Sequence, residues 1–336
     1  MSRPAVSVLL PCRDAEAWLP ECIESLEAQT LRDLEVVAVD DGSADASGAL
    51  LEAWRGRDPR VRLLSTPGVG VAGALSAAAA AARAPLLARM DADDVADPRR
   101  LELQAGLLRE RPDLAACGAG VELFPDEEVG PGYRRYEAWL NELRSPEDLR
   151  RDLFVECPVA HPALVLRASV LRGLGGYRDR GWPEDYDLLL RLHAAGLRAA
   201  NLDRVLLRWR VRPGRLSLDA PAYSPASFRR CKVHFLVHGG LPEGRALVLW
   251  GAGRVGKPLA RELARRGRPA RAFVDLDPRK IGQEIHGLPV LPPEGLGRLP
   301  GAYVLAAVGA PGAREDIRRT LEAAGREEIT DFRAVA

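Results

Sequence analysis

Apolar positions follow two rhythms along this chain, short unbroken runs and longer stretches spaced every three or four residues, and the two alternate. Unbroken runs bounded by turn residues read as buried strands, and the spaced stretches read as amphipathic helices. Val6-Ser7-Val8-Leu9-Leu10 is the first strand, stopped by Pro11, and a helix follows over 17–29. A second strand over 34–39 ends in Asp40-Asp41-Gly42-Ser43, followed by a helix over 46–55 and a third strand over 61–64. A glycine-rich turn at 68–73 leads into a helix over 74–83. The run Ala84-Pro85-Leu86-Leu87-Ala88 closes at Met90 as a fourth strand, and a helix runs over 98–109. Alternation of this kind over the first ~125 residues predicts an α/β fold built on a parallel sheet.

From 125 to 150 the pattern weakens and predicts an excursion over the surface, marked by Tyr133, Tyr136 and Trp139. A strand resumes over 163–166, then a helix from 168 that ends before Gly175-Gly176. After Trp182-Pro183 a helix spans 184–195 and stops at Gly196, and 205–211 alternates as a strand. Residues 213–243 carry several Pro and Gly and one helix over 225–238. A second α/β unit starts at 245, with strands over 246–250, 270–274 and 303–308 and helices over 256–266 and 313–324. The expected division is 1–217, a helical linker 218–244, and a small domain 245–336.

At 336 residues the chain is long enough for two cores. Its formal net charge of +1 argues against a global field that attracts nucleic acid. The basic residues are almost all Arg, with Lys only at Lys232, Lys257 and Lys280. Cys12, Cys22, Cys117, Cys157 and Cys231 form no CxxC pair and are odd in number, which fits a reducing compartment better than a disulfide framework. No segment reaches the ~20 apolar residues of a membrane span, and the start of the chain has no apolar signal region. A cytoplasmic protein is expected, with peripheral docking at the inner face of the membrane and homo-oligomerisation left open.

The candidate chemistry gathers where the first four strands end. Met90-Asp91-Ala92-Asp93-Asp94 packs three carboxylates into four positions at a strand's C-terminal end, the edge at which open α/β sheets bind ligands. Folding alone gives little reason to crowd anions. A divalent cation bridging to a phosphate gives one, since hard cations take carboxylate and phosphate oxygens. The competing account is an acidic loop in which Asp94 or Asp97 caps the next helix. Asp41 is placed to accept from a base imide or a ribose hydroxyl; alternatively its turn caps the following helix.

These segments, Val6-Ser7-Val8-Leu9-Leu10-Pro11, Val39-Asp40-Asp41-Gly42-Ser43 and Met90-Asp91-Ala92-Asp93-Asp94, together resemble the family 2 glycosyltransferases of GT-A fold. The resemblance continues through His161-Pro162, Leu174-Gly175-Gly176-Tyr177 and Glu184-Asp185-Tyr186-Asp187-Leu188, covering roughly residues 5–217. It implies inverting transfer of a sugar from a nucleoside diphosphate sugar to the hydroxyl of a glycan or lipid-linked acceptor. By the same resemblance Pro11 and Arg13 line the base pocket, Asp41 contacts the base, and Asp91 lies against ribose or metal. Asp93 ligates Mn²⁺ or Mg²⁺, and Asp185 is the general base.

Read physically, Glu184-Asp185 is equally an acidic first helical turn favoured by the dipole, and Asp187 competes for the base role. His161 faces acceptor or diphosphate, or is a structural residue; Trp182 stacks on a sugar face, or packs its loop. Either Arg210 or Arg212 meets phosphate, and Arg212 stands where the family often has His. Asp14 and Ser76 also depart from the family's common Asn.

In the second domain Gly251-Ala252-Gly253-Arg254-Val255-Gly256 follows a strand and opens a helix, and Asp275 lies 24 residues after Gly251. That context suits a Rossmann-like dinucleotide turn, with Gly251, Gly253 and Gly256 at the phosphate and Asp275 at a ribose. The run 273–290 resembles nucleotide-binding domains attached to polysaccharide-synthesis enzymes, so NAD or a nucleotide sugar is the expected ligand; a unit kept only for packing is the alternative. No Tyr-x-x-x-Lys pair supports hydride chemistry there. A non-catalytic nucleotide-sugar sensor is the competing function for the whole chain, and retention of Glu184-Asp185 argues against it.

Overall fold

The computed structural model describes residues 3–215 and 220–336, so the expected boundary at 217/218 lies outside the described residues. The chain divides into two compact units, Met1–Leu149 with Pro158–Ala220, and Arg150–Cys157 with Pro221–Ala336.

The first unit holds strands β1 (Val6–Cys12), β2 (Leu34–Asp40), β3 (Val61–Ser65), β4 (Leu86–Arg89), β5 (Val95–Ala96), β6 (Leu114–Phe124), β7 (Val165–Arg167) and β8 (Arg198–Arg210). Between them run helices α1 (Leu19–Glu27), α2 (Ser47–Arg57), α3 (Gly70–Ala81), α4 (Arg100–Glu110), α5 (Pro131–Glu142), α6 (Pro146–Asp152, which passes into the second unit at Arg150), α7 (Ala168–Gly173) and α8 (Glu184–Ala194). The strands form one eight-stranded sheet in the order β3-β2-β1-β4-β7-β6-β8-β5. The first four pair in parallel, as expected. Val6, Leu9 and Leu10 are wholly buried, the unbroken apolar run that a parallel strand covered on both faces requires.

Beyond β4 the sheet is mixed: β7 runs antiparallel to β4 and β6, β6 is parallel to β8, and β5 is antiparallel to β8. β6 carries no strand signal in the sequence, because Ala115-Ala116-Cys117-Gly118-Ala119-Gly120 lacks β-branched residues. Small residues are required there. A Cβ on Gly118 would stand 2.1 Å from Asn201 Oδ1 and 2.6 Å from Val159 Cγ1.

The expected excursion over 125–150 is instead helical. α5 lies along β6, where Asn141 Oδ1 accepts from Val121 N–H at 2.9 Å and Glu137 Oε1 from Leu123 N–H at 2.9 Å. Among the described residues, no helix is long and apolar enough to cross a membrane.

The second unit holds helix α9 (Pro225–Phe235), strand β9 (Leu247–Trp250), helix α10 (Gly256–Arg265), strands β10 (Ala270–Val274), β11 (Glu284–Ile285), β12 (Leu288–Leu291) and β13 (Tyr303–Ala306), helix α11 (Ala313–Ala323) and strand β14 (Phe332–Ala334). Its sheet runs β11-β12-β10-β9-β13-β14, parallel except for β11. The short β11–β12 hairpin and β14 escaped the sequence reading, being too brief to show a period. Residues 150–157 belong here because Asp152 is ion-paired with Arg318, and Lys232 Nζ donates to the Val155 and Val335 carbonyls at 2.9 and 2.7 Å.

Candidate active site

The acid turn follows β4. Among the described residues, Asp91, Asp93 and Asp94 form the group whose carboxylate oxygens lie within 4.8 Å of one another. Each is held differently. Asp91 is ion-paired with Arg89. Asp93 Oδ2 accepts from Arg212 Nε at 2.8 Å, and the Arg212 guanidinium lies 4.0 Å over the Trp18 ring. Asp94 is buried; its Oδ1 accepts from Arg210 N–H at 2.8 Å while Oδ2 has no hydrogen-bond partner. Burial, then Asp93 and Asp91, push its pKa well above the ordinary carboxylate range. A buried carboxylate oxygen without a donor, beside two further carboxylates, fits a hard divalent cation.

Pairing of β5 with β8 explains how residues so distant in sequence meet. Val95 stands opposite Arg208 and Ala96 opposite Leu207, which carries Arg210 and Arg212 to the acid turn. Arg210 Nε also donates to the Asp93 carbonyl at 2.7 Å, and its guanidinium pairs with Glu21. Of the two arginines, Arg212 is therefore the one on the Asp93 carboxylate.

The second group of acids reaches the same place through β7. Because β7 runs antiparallel to β4, the turn His161–Ala163 that precedes it falls at the C-terminal end of β4, where Arg89 N–H donates to the Leu164 carbonyl at 2.8 Å. His161 Nδ1 lies 3.5 Å from Glu184 Oε1, and its Nε2 lies 3.3 Å from Tyr177 Oη. That contact draws in the first turn of α8, with Glu184, Asp185 and Asp187. Asp185 is half-buried, and its Oδ1 accepts from Tyr186 N–H at 2.6 Å. Its pKa is pushed up to about 6, by burial first and then by Glu184, against the pull of His161 and Arg89. Buried Arg89 is thus ion-paired with Asp91 and has favourable charge interactions with Glu184 and Asp185.

Asp187 is not free to serve as a base. Its Oδ1 accepts from Trp182 Nε1 at 3.0 Å and its Oδ2 from Arg191 Nε at 2.7 Å. Trp182 correspondingly spends its N–H on the α8 turn.

The loops after β1 and β2 form the third part. Asp41 is buried, with Oδ1 accepting from Thr66 Oγ1 and Val69 N–H at 2.7 Å each and Oδ2 from Gly70 N–H at 2.8 Å. It thereby fixes the entry to α3. Arg13 is exposed, with its guanidinium 3.4 Å from where a Cβ on Gly68 would stand, while Pro11 is half-buried at the end of β1. Asp14 sits at φ +48° and accepts from Ala44 N–H at 2.7 Å, a backbone position where Asp and Asn are both tolerated. Ser76 bonds back to the Ala72 carbonyl at 2.8 Å, inside α3.

Two residues escaped the sequence reading. Arg89 was legible as a charge closing an otherwise apolar strand, Leu86-Leu87-Ala88-Arg89. Arg100, buried on α4, donates to the Arg89 carbonyl at 2.6 Å and reaches Met90 Sδ at 3.1 Å, fixing the strand end from below. The five cysteines are free and buried, and burial pushes the Cys12 and Cys117 thiols up to about 12, so neither is a nucleophile.

Comparison with known proteins gives this geometry a lineage. The model of glycosyl transferase family 2 matches residues 7–175, a stretch that contains the Asp41 and Asp91–Asp94 turns and ends before α8. An uncharacterized glycosyltransferase of Haemophilus influenzae is 28% identical over 214 residues, covering 62% of this chain and 66% of that protein. The amylovoran biosynthesis glycosyltransferase AmsE of Erwinia amylovora is 32% identical over 194 residues, covering 57% of this chain and 70% of AmsE. Among solved structures, S. aureus TarS 1–349 in complex with UDP-GlcNAc superposes with a TM-score of 0.58 at 18% identity, over 79% of this chain and 73% of that one. The mannosyltransferase PcManGT from Pyrobaculum calidifontis, in complex with GDP-Man and Mn²⁺, gives 0.50 at 20% identity, over 70% of this chain and 63% of that one. The mixed α/β sheet is that of the GT-A glycosyltransferases, and the chain belongs to glycosyltransferase family 2.

Proposed function

We propose that the chain is an inverting glycosyltransferase that moves a sugar from a nucleoside diphosphate sugar to an acceptor hydroxyl in glycan or polysaccharide assembly. The observation that carries this reading is Arg89, one buried cation facing the acid turn through Asp91 and the α8 acids through Asp185. It brings a candidate cation site and a candidate base under the influence of one buried charge.

In this reading the donor's base lies over Pro11 and Arg13, on a loop whose shape Asp41 sets. Asp91, Asp93 and Asp94 hold a divalent cation. That cation supplies neutralisation of the charge developing on the departing diphosphate. Asp185, as the carboxylate, accepts the proton of the acceptor hydroxyl while the oxygen attacks the anomeric carbon. The bond from that carbon to the diphosphate breaks on the opposite face, so configuration inverts. His161 and Glu184 hold the α8 turn that carries Asp185. Arg212, at the edge of the acid turn, would take a diphosphate oxygen.

The test is release of nucleoside diphosphate from a panel of UDP- and GDP-sugars with Mn²⁺, repeated in EDTA. Turnover with one donor and its loss by roughly 10²-fold or more in EDTA is the expected result. An undiminished rate in EDTA would remove the cation from the site. Tight donor binding with no turnover on any acceptor would favour a sensor instead.

A further inference from the structure

The second unit carries a cavity of about 610 Å³, within the range of small-molecule sites. It opens at the carboxyl ends of β9, β10 and β13. From β9 the chain builds β10 and β12 on one side, then crosses to β13 and β14 on the other. The cavity therefore sits at the point where strand order reverses, the crevice in which open parallel sheets take ligands.

One wall is the turn between β9 and α10. Gly251 has φ +117°, and a Cβ there would stand 2.8 Å from the Ala307 carbonyl oxygen and 2.6 Å from Val308 Cγ2, so only glycine fits. Asp275 braces this turn. Its Oδ2 accepts from Ala252 N–H at 2.8 Å and from Lys280 Nζ at 3.0 Å, and its Oδ1 from Asp277 N–H at 2.9 Å. The acid expected at a ribose is thus neutralised by an ammonium. With Asp275 balanced by Lys280 and Asp316 by Arg319, Arg254 is the charge left over on the cavity wall, and the polar side favours an anion.

The rest of the wall is apolar. Leu276 is 67% exposed and Val255 37% exposed, two of the five exposed large hydrophobic residues among those described, and both line this one cavity. Exposed apolar side chains facing a cationic turn suit a ligand with a flat apolar end and an anionic end.

We infer that this cavity binds a nucleoside diphosphate group, its base against Leu276 and its phosphates at the Gly253 turn and Lys280, as a second nucleotide site apart from the transfer cleft.

Calorimetry on the full chain in EDTA tests it, with ADP, UDP, NAD⁺ and pyrophosphate as probes. Gly253 is the informative position, because a Cβ there would meet nothing within 4 Å and folding should tolerate a side chain. At least one nucleotide is expected to bind more tightly than pyrophosphate. Gly253→Asp should weaken it tenfold or more while leaving the melting temperature and Mn²⁺-dependent transfer unchanged. Leu276→Asp should weaken the nucleotide and spare pyrophosphate. Preference for ADP and NAD⁺ would identify an adenine cofactor, and preference for UDP a nucleotide sugar. The inference is overturned if no nucleotide binds below about 1 mM, if Gly253→Asp leaves the affinity unchanged, or if pyrophosphate binds as tightly as every nucleotide.

Discussion

Asp185→Asn is expected to lower kcat by roughly 10²–10⁴-fold, the usual contribution of a general base, while the donor KM stays near the wild-type value. The amide keeps the shape of the side chain and cannot take a proton from the acceptor. Because the substitution leaves the acid turn and the base-side loops untouched, donor binding should survive. The pH profile gives the same residue a second signature. Burial and Glu184 raise its pKa to about 6, so below that pH only the minor ionised fraction is active. The base form is the carboxylate, hence the rate rises with pH, about tenfold per unit up to about 6, then levels. In the Asn variant that rise should disappear. A wild-type rate that is flat from pH 4 to 7, or an Asn variant within about threefold of wild type, would assign the proton to another group.

Asp93→Ala should remove metal-stimulated turnover, lowering kcat by roughly 10²–10³-fold at saturating donor. The Arg212–Asp93 pair adds a counterpart of opposite sign. Arg212 Nε lies 2.8 Å from Oδ2, so its guanidinium competes with a cation for the Asp93 carboxylate. Arg212→Ala frees the carboxylate. If the half-buried pair is worth about 1 kcal/mol, Mn²⁺ should bind roughly fivefold more tightly, read by the loss of the free-Mn²⁺ paramagnetic resonance signal. Turnover in Arg212→Ala should nevertheless fall, since the diphosphate loses its guanidinium. Weaker Mn²⁺ binding in Arg212→Ala would mean that Arg212 supports the cation site instead of occupying it.

Local pattern carried the parallel strands of both sheets well and missed β6 and α5, for identifiable reasons. Val6–Cys12 and Leu34–Asp40 are buried on both faces, so their apolar runs advertise strands. Leu114–Phe124 is just as buried, yet its glycines answer to Asn201, Val159 and Arg204 from elsewhere in the chain. No local window contains that reason. The acids were visible as a cluster because like charges rarely crowd without cause. What each one binds was not, since Arg212 reaches Asp93 only through the β5–β8 pairing. Asp41 shows the same divide: its place at a strand end was legible, while the donors that occupy it come from residues 66–70. Asp187 is the reverse case. Its partner Arg191 stands four residues on, at helical spacing, and that pairing was available in the sequence. Asp94, for which a helix cap was the competing account, has an unpartnered buried oxygen that only coordinates reveal.

The most direct measurement is an anomalous difference map from crystals grown with Mn²⁺ and either UDP or GDP. The account predicts a manganese peak on Asp93, shared with Asp91 or Asp94, touching the diphosphate of a nucleotide whose base lies over Arg13, with the Asp185 carboxylate opening onto the same cleft. A manganese ion bound away from these three acids, or a nucleotide seated where Asp185 has no access to it, would contradict the account.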